Sequence, residues 1–337
     1  MREKNKVTMD DIASKLNISK NAVSLALGNK KGVSDSLRKK VQETARQMNY
    51  GNYVMSDEKS SCIISIVPEY IQNDTYFYSD IFWSIEQEAK NRHCISIMSG
   101  ISKTAEKDLI LPQDCPEVDN KGFLVIGIVS GAYINKLLQT GLPVISVDIE
   151  HHDTPVRSIT ASNLSGGYTA AKYLIEKGHT EIGFIGPVYT AQSIYERWCG
   201  FNQAMDVYGL SVDPDYNIIG TKNEFKLFDT IETLENLLGT IKKYPTAWFC
   251  AGDRIAIALS NVLTRKGIKI PDDVSIIGFD DIPMSQLVLP ALTTMSVDRK
   301  LMGKLAVDAL LSMNQNSRQN FNIAVDLVER DSVKKIV

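Results

Sequence analysis

The sequence predicts an α/β protein: a small three-helix, helix-turn-helix headpiece at the N-terminus, followed by two doubly wound parallel-sheet lobes. Three observations carry this. Residues 8–50 hold three short helical periodicities separated by cap and turn residues. From Cys62 onward, short β-rich apolar runs alternate with amphipathic stretches, the pattern of parallel strands joined by crossover helices. A length of 337 residues is too long for one ordinary domain and suits a small arm plus a body of two lobes.

In the headpiece, Thr8 followed by Asp11 is a capping-box pattern, and Ile12, Ala13 and Leu16 then share one helical face. Asn17 breaks the pattern, and Ser19 sits where an N-cap opens a second helix with Val23, Ala26 and Leu27 turned inward. So short a turn between two helices predicts a helix-turn-helix. Residues 28–32 close that helix, and Ser34 caps a third whose Leu37, Val41, Ala45 and Met48 recur every three or four residues. The outer face of the second helix carries Lys20, Asn21 and Ser24 near its start, where such a helix meets base edges in the major groove. Asn21 is suited to reading a base edge, and Ser19 and Ser24 to reaching phosphates. Periodicity alone also admits a small helical bundle with solvated polar faces. Charge argues against it: residues 1–50 contain 11 Lys and Arg against 5 Asp and Glu, net +6, whereas the remaining 287 contain 26 against 35, net −9. A basic arm on an acidic body points to a polyanion partner.

The body contains enough apolar residues, 44% of the whole chain, to bury sizeable cores. Five cysteines, at 62, 94, 115, 199 and 250, form no C-x-x-C pair, which argues against a disulfide framework or zinc site and for a reducing, cytoplasmic setting. No N-terminal apolar run reads as a leader, and the longest apolar run, FLVIGIV from 123, is too short to span a bilayer, so a protein neither secreted nor membrane-spanning is expected. A Ser/Asp/Lys-rich stretch at 56–61 marks a domain boundary. CIISIV, CISIM, FLVIGIV and PVISV read as strands of a first lobe; EIGFIG, YNIIG, TAWFC and VSIIGF read as a second series beginning after SITASN near 163. Two such sheets in succession make a cleft, with ligands beyond the carboxyl ends of the strands. The loops there supply Phe77 and Tyr78, Asp148, the segment from Tyr189 through Ser193 to Arg197, and Asp253.

A catalytic reading finds no support. His151 and His152 with Glu150 and Asp153 are consecutive on a loop and do not converge on a metal. GPVYTAQS has one glycine where a dinucleotide or phosphate loop needs several, and no G-x-S-x-G elbow occurs. No enzyme activity, cofactor or metal is expected.

The stretches VTMDDIASKLNISKNAVSLAL, GVSDSLRKKV and MNY resemble the DNA-binding headpiece of the lactose repressor (LacI/GalR) family. The resemblance implies that Lys20 and Asn21 read bases, that Ser19, Ser24, Asn29, Ser34 and Tyr50 contact the backbone, and that Thr8 caps near a phosphate. Leu25 stands where many members carry a guanine-reading arginine, so any preference there would come from apolar contact or DNA shape. The family's Pro-Asn step and wedge leucine are missing from the following GNYVMSDEKSS, which leaves Val54 and Met55 as wedges and places Asp57 and Glu58 unfavourably near phosphates. A full hinge helix is not expected, and operator binding should be weak or labile. LSGGYTAAKYLIEKGHTEIGFIG, YERWCGF, TAWFCAGDRIAIAL, KGIKIPDDVSIIGFDD and PALTTMSVD extend the likeness through the body, which resembles the ligand-binding core shared with periplasmic sugar-binding proteins.

By that resemblance Arg197 and Asp253 hold the effector, an arginine fork facing a carboxylate. The alternatives are a structural salt bridge for Arg197 and a helix cap for Asp253. Phe77 and Tyr78 fall where members stack a ring on the effector, although YFYSDIFW is also a dense apolar cluster of core character. Asp148 matches a ligand-touching position in sugar-responsive members. Ser162 replaces the usual aspartate before Asn163, and Lys222 falls near a large aromatic of other members, hinting at a more polar or anionic effector. The division implied is a headpiece at 1–52, an atypical hinge linker at 53–61, a first lobe at 62–160 and 291–320, and a second at 161–290 and 321–337. The function implied is a cytoplasmic repressor that binds a near-palindromic double-stranded operator as a homodimer, controlled allosterically by a sugar, sugar phosphate or purine.

Overall fold

The computed structural model describes residues 7–28, 30–48, 50, 60–74, 76–112, 118–220, 228, 230–239, 241, 243–312 and 320–336. The chain forms two compact units, residues 1–60 and 61–337. Most of the linker at 53–61, Val54, Met55, Asp57 and Glu58 included, lies outside the described residues.

In the first unit, α1 (Met9–Leu16), α2 (Lys20–Leu27) and α3 (Asp35–Gln47) surround a core of Ile12, Ala13, Val23, Ala26, Val41 and Ala45. Each start is locally written. The Thr8 hydroxyl accepts from the Asp11 amide at 3.4 Å while the Asp11 carboxylate accepts from the Thr8 amide at 2.7 Å, a complete capping box. Ser19 accepts from the Ala22 amide at 3.1 Å and Ser34 from the Leu37 amide at 3.3 Å. Asn17 ends α1 in the left-handed region at φ 53°. The end of α2 is held from a distance: the Arg38 guanidinium on α3 donates to the carbonyls of Leu25 at 3.2 Å, Ala26 at 3.4 Å and Lys30 at 2.7 Å. The Leu25 and Ala26 carbonyls are among those a helix end leaves without intrahelical partners, and Lys30 belongs to the loop that follows.

The second unit contains two parallel sheets. The first has the order β10-β5-β4-β3-β1-β2, from β1 (Ser60–Pro68), β2 (Ile95–Ile101), β3 (Val118–Ile126), β4 (Val144–Val147), β5 (Arg157–Ala161) and β10 (Phe321–Ile323). α4 (Tyr78–Asn91), α5 (Lys103–Lys107), α6 (Gly131–Leu138) and α11 (Arg299–Leu311) accompany it. The second has the order β6-β7-β8, from β6 (Ile182–Ile185), β7 (Ala247–Cys250) and β8 (Ser275–Ile277), with α7 (Asn163–Glu176), α8 (Gln192–Val207), α9 (Ile231–Leu238) and α10 (Asp253–Arg265). An antiparallel pair, β9 (Thr294–Val297) with β11 (Val325–Val328), carries the chain between the lobes.

Three details depart from the sequence reading. YNIIG runs beside β6 only briefly: the Ile218 amide donates to the Phe184 carbonyl at 2.8 Å and the Ile218 carbonyl accepts from the Gly186 amide at 2.9 Å, while its first residue, Tyr216, closes the 3-10 turn Pro214–Tyr216. RSITA, absent from the predicted runs, is a full strand of the first sheet, paired with β4 and β10. The return passage is shifted: Thr293 still bridges to Ile277 of the second lobe, and Phe321–Ile323 still pairs with β5 of the first, so neither 291 nor 321 marks a crossing. The four described cysteines, Cys62, Cys94, Cys199 and Cys250, are free thiols.

Candidate functional site

On the headpiece, α2 presents Lys20, Asn21 and Ser24 to solvent, flanked by exposed Ser19 and Ser34. The Thr8 hydroxyl also donates to the Asp11 carboxylate at 2.7 Å. Leu25 is half-buried, folded toward the loop at Gly32, whose φ of 121° needs a residue without a side chain. A Cβ at Gly32 would stand 3.2 Å from Leu25 Cδ1. Tyr50 packs partly against the core of the three helices, and Asn29 lies outside the described residues. The exposed polar face is therefore continuous at the start of α2, and α3 fixes the helix from behind.

In the body, a cavity of about 190 Å³ lies between the lobes, lined by residues that follow strand ends in both sheets. Tyr70 follows β1, Ile128 follows β3 and Asp148 follows β4; Pro187 follows β6, Ala251 and Gly252 follow β7, and Asp280 follows β8. Three strands of each sheet, β1, β3 and β4 in one and β6, β7 and β8 in the other, thus point their carboxyl ends at one place, as sequential doubly wound sheets require.

Arg197 is the anchor of this cavity. It is 5% exposed; its Nε donates to Asn163 Oδ1 at 2.9 Å, its Nη1 to the Ala251 carbonyl at 2.6 Å, and its Nη2 lies 3.1 Å from Asp280 Oδ1. Its guanidinium carbon sits 3.7 Å from the centre of the Phe279 ring. Helix contact sets this position: a Cβ on Gly167 of α7 would come within 2.2 Å of the Arg197 carbonyl oxygen, and one on Gly200 of α8 within 2.0 Å of the Leu164 carbonyl oxygen. Only glycines let these two helices cross so closely.

The facing wall belongs to the first lobe. Asp148, at φ 75°, accepts from the Tyr78 hydroxyl at 2.8 Å. Burial pushes its carboxyl up to about 6 against the opposing pull of Tyr78 and Arg197. Burial likewise raises Asp280, with Arg197 and Arg299 opposing, and raises the Tyr78 hydroxyl well above its ordinary range. Asp74 caps α4, its Oδ1 accepting from the amides of Tyr76, Phe77 and Tyr78 at 3.0, 2.8 and 3.0 Å, and its Oδ2 lies 3.6 Å from Arg254 Nη1 of the opposite lobe.

Of the residues singled out from sequence, the structure brings Phe77, Tyr78, Asp148, Ser193 and Arg197 to this cavity. Tyr189 is half-exposed beside it, in a separate shallow pocket with Gln192 and Tyr195, and Lys222 lies outside the described residues. Asp253 requires a correction. It is 0% exposed and absent from the cavity wall; Oδ2 accepts from the Ile282 amide at 2.9 Å and the Ser285 hydroxyl at 2.7 Å, and Oδ1 from the Thr294 hydroxyl at 2.5 Å. Its amide donates to the Phe279 carbonyl at 2.8 Å, which turns the side chain inward. The carboxylate facing Arg197 is Asp280 instead. The sequence did carry a signal for it, an acidic pair directly after the buried run VSIIGF.

A helix-turn-helix headpiece followed by a two-lobed body with a polar cleft defines a DNA-binding transcriptional regulator. Comparison with known proteins agrees. Residues 8–52 match the model for bacterial regulatory proteins of the lacI family, and residues 171–333 match that for a periplasmic binding protein-like domain. The chain belongs to the lacI family, whose members regulate transcription and are not enzymes. It is 28% identical over 335 residues to the HTH-type transcriptional repressor PurR of Vibrio cholerae serotype O1 (strain M66-2), covering 98% of each chain. It is 26% identical over 338 residues to the probable HTH-type transcriptional repressor ExuR of Bacillus subtilis (strain 168), covering 98% of this chain and 99% of that one. In fold it is similar to the transcriptional regulator CelR–cellobiose complex, with a TM-score of 0.71 and 20% identity over 97% of this chain and 100% of that one. It is also similar to the lac repressor dimer bound to operator and the anti-inducer ONPF, with a TM-score of 0.68 and 22% identity over 98% and 100%. Among the described residues no helix is long and apolar enough to cross a membrane.

Proposed function

We propose that this protein is a cytoplasmic transcriptional repressor that binds a near-palindromic operator as a homodimer, with operator affinity set by a small hydroxylated effector in the inter-lobe cleft. The observation that carries the reading is the cleft itself, where the Arg197–Asp280 pair of one lobe faces Asp148 of the other in a chain that also bears an exposed recognition helix. Buried carboxylates accept from hydroxyls, and a guanidinium donates to oxygens, so opposite faces of one polyol can be held from both lobes. Among the described residues the wall carries Asp74, Asp148 and Asp280 against Arg197 and Arg254, a balance that favours a neutral ligand over an anionic one.

A dimer is supported by large apolar side chains left in solvent. Trp83 on α4 and Met98 on the edge strand β2 are 67% and 62% exposed, and Leu287 and Leu289 beyond β8 are 73% and 94% exposed. Side chains of this size and exposure suit burial against a second copy of the chain. A two-fold dimer presents two copies of α2, which matches an operator with two half-sites. An effector that binds the DNA-competent and incompetent states unequally then shifts operator affinity, and DNA shifts effector affinity by the same factor.

The test is a thermal-unfolding screen of the full chain against sugars, sugar phosphates, purines and nucleosides, since a ligand of the native state raises the transition temperature. The expected result is a shift with a hydroxylated neutral compound that Arg197→Met and Asp280→Asn each remove. A shift that survives both substitutions places the ligand elsewhere, and silence across the panel in protein that binds DNA removes effector control.

A further inference from the structure

The start of α2 carries an arrangement that base reading alone does not account for. Lys20 Nζ donates to Asp10 Oδ2 across the α1–α2 turn at 2.7 Å, with both side chains 62% exposed. Asp10 is not the capping carboxylate; Asp11 fills that role. The pair therefore joins the second residue of α1 to the first residue of α2, whose exposed face also carries Asn21 and Ser24. Lysine is a flexible four-carbon arm ending in a compact point charge with three donors. A carboxylate that takes one of those donors fixes the direction of the arm and leaves two for a base edge. It also cancels much of the ammonium's attraction for any nearby phosphate, the interaction that drives sequence-independent binding.

We infer that Asp10 is a positioning residue for sequence discrimination, acting through Lys20 to aim its ammonium at base edges and to withhold it from non-specific phosphate contact. The inference rests on α2 being the recognition helix. Asp10→Asn keeps the shape and the Thr8–Asp11 cap while removing the charge, so the headpiece stays folded, as its far-ultraviolet dichroism should show.

The probe is a random-sequence 24-base-pair duplex library, bound by the full chain and sequenced after selection. The unaltered protein should enrich a two-half-site motif. Asp10→Asn should raise affinity for the unselected library about threefold and steepen its salt dependence by up to about 0.9 in log–log slope. It should also blur the same base pairs that Lys20→Met blurs. In a Lys20→Met background, Asp10→Asn should change neither quantity, because the residue it acts through is gone. A motif as sharp in Asp10→Asn as in the unaltered chain overturns the inference. So does an equal loss in the Lys20→Met background, which would make Asp10 a reader in its own right. If the unaltered chain enriches no motif, the recognition-helix reading falls and the inference with it, a result distinct from a motif that survives Asp10→Asn.

Discussion

Asp253→Asn separates a structural carboxylate from a ligand-binding one. Asp253 is fully enclosed, and burial together with the nearby charge of Asp280 pushes its carboxyl up to about 7 from an ordinary 3.8, despite three hydrogen-bond donors that favour its charged form. The sign of the consequence follows from linkage. Below pH 4 the group is protonated in both folded and unfolded chains and contributes nothing to pH dependence. Between about pH 4 and pH 7 the unfolded chain has lost the proton that the folded chain still holds, so stability falls as pH rises, by about 1.4 kcal/mol per pH unit. Across that window the loss from this one group is about 4 kcal/mol, and above pH 7 it is constant.

An asparagine suits the same pocket. Its amide oxygen can take the place of Oδ2, accepting from Ile282 and Ser285, and its amide nitrogen can donate to Thr294 Oγ1, a hydroxyl able to reverse its role. The variant should match the parent near pH 4.5, exceed it by a few kcal/mol at pH 8, and lose most of the slope between. Asp253→Ala instead leaves the buried Ile282 amide without an acceptor and should cost about 3 kcal/mol near pH 4.5, a deficit that shrinks as pH rises because only the parent carries the titrating group. All three tryptophans, Trp83, Trp198 and Trp248, lie in the body, so urea unfolding followed by their fluorescence from pH 4.5 to 8, at fixed ionic strength and chain concentration, reports this unit alone. Parallel stability profiles for parent and Asp253→Asn would refute the argument. Effector binding intact in Asp253→Asn is the companion expectation.

Arg197→Met should destabilise the body by about 2 kcal/mol because it strands the partly buried Asp280 charge, and adding Asp280→Asn should recover part of that loss; additive losses in urea unfolding would deny the pairing. Gly200→Ala should cost about 3 kcal/mol by driving a methyl into the Leu164 carbonyl and forcing α7 from α8; an unchanged unfolding midpoint would contradict the close crossing. Arg38→Met should cost the headpiece about 2 kcal/mol, since several carbonyls at the end of α2 lose a charged donor at once. Its melting followed by far-ultraviolet dichroism, with a parallel fall in DNA affinity, checks that.

What could be read from the sequence was what neighbouring residues decide. The starts of α1, α2 and α3 were legible because Thr8, Ser19 and Ser34 each cap an amide three positions away. The end of α2 was not, because Arg38 reaches it only after α3 has folded back, 13 residues on from Leu25. The parallel strands were legible as apolar runs, and the exception is instructive. YNIIG has strand composition but begins inside a proline-led turn, and it runs beside β6 only around Ile218.

The exchange of Asp253 for Asp280 shows where such reading stops. Both aspartates follow a buried strand closely, both precede the cleft, and composition cannot rank them. Backbone direction ranks them. The Asp253 amide is tied to the Phe279 carbonyl at 2.8 Å as α10 begins, which aims the carboxylate down among Ile282, Ser285 and Thr294. Asp280 sits at φ 107° and Asp281 at φ 51°, a pair of left-handed residues that turn the chain at the cleft. Such a turn is costly for non-glycine residues, and two arginines over-determine it. Arg299 donates to the carbonyls of Asp280 and Asp281, and Arg330 binds the Asp281 carboxylate at 2.6 Å. The strain is thus held by contacts from 18 to 49 residues away, and its result is a carboxylate aimed at Arg197. The neighbour of Asp253, Arg254, reaches the cleft for the same geometric reason: once α10 turns position 253 inward, position 254 faces out, toward Asp74.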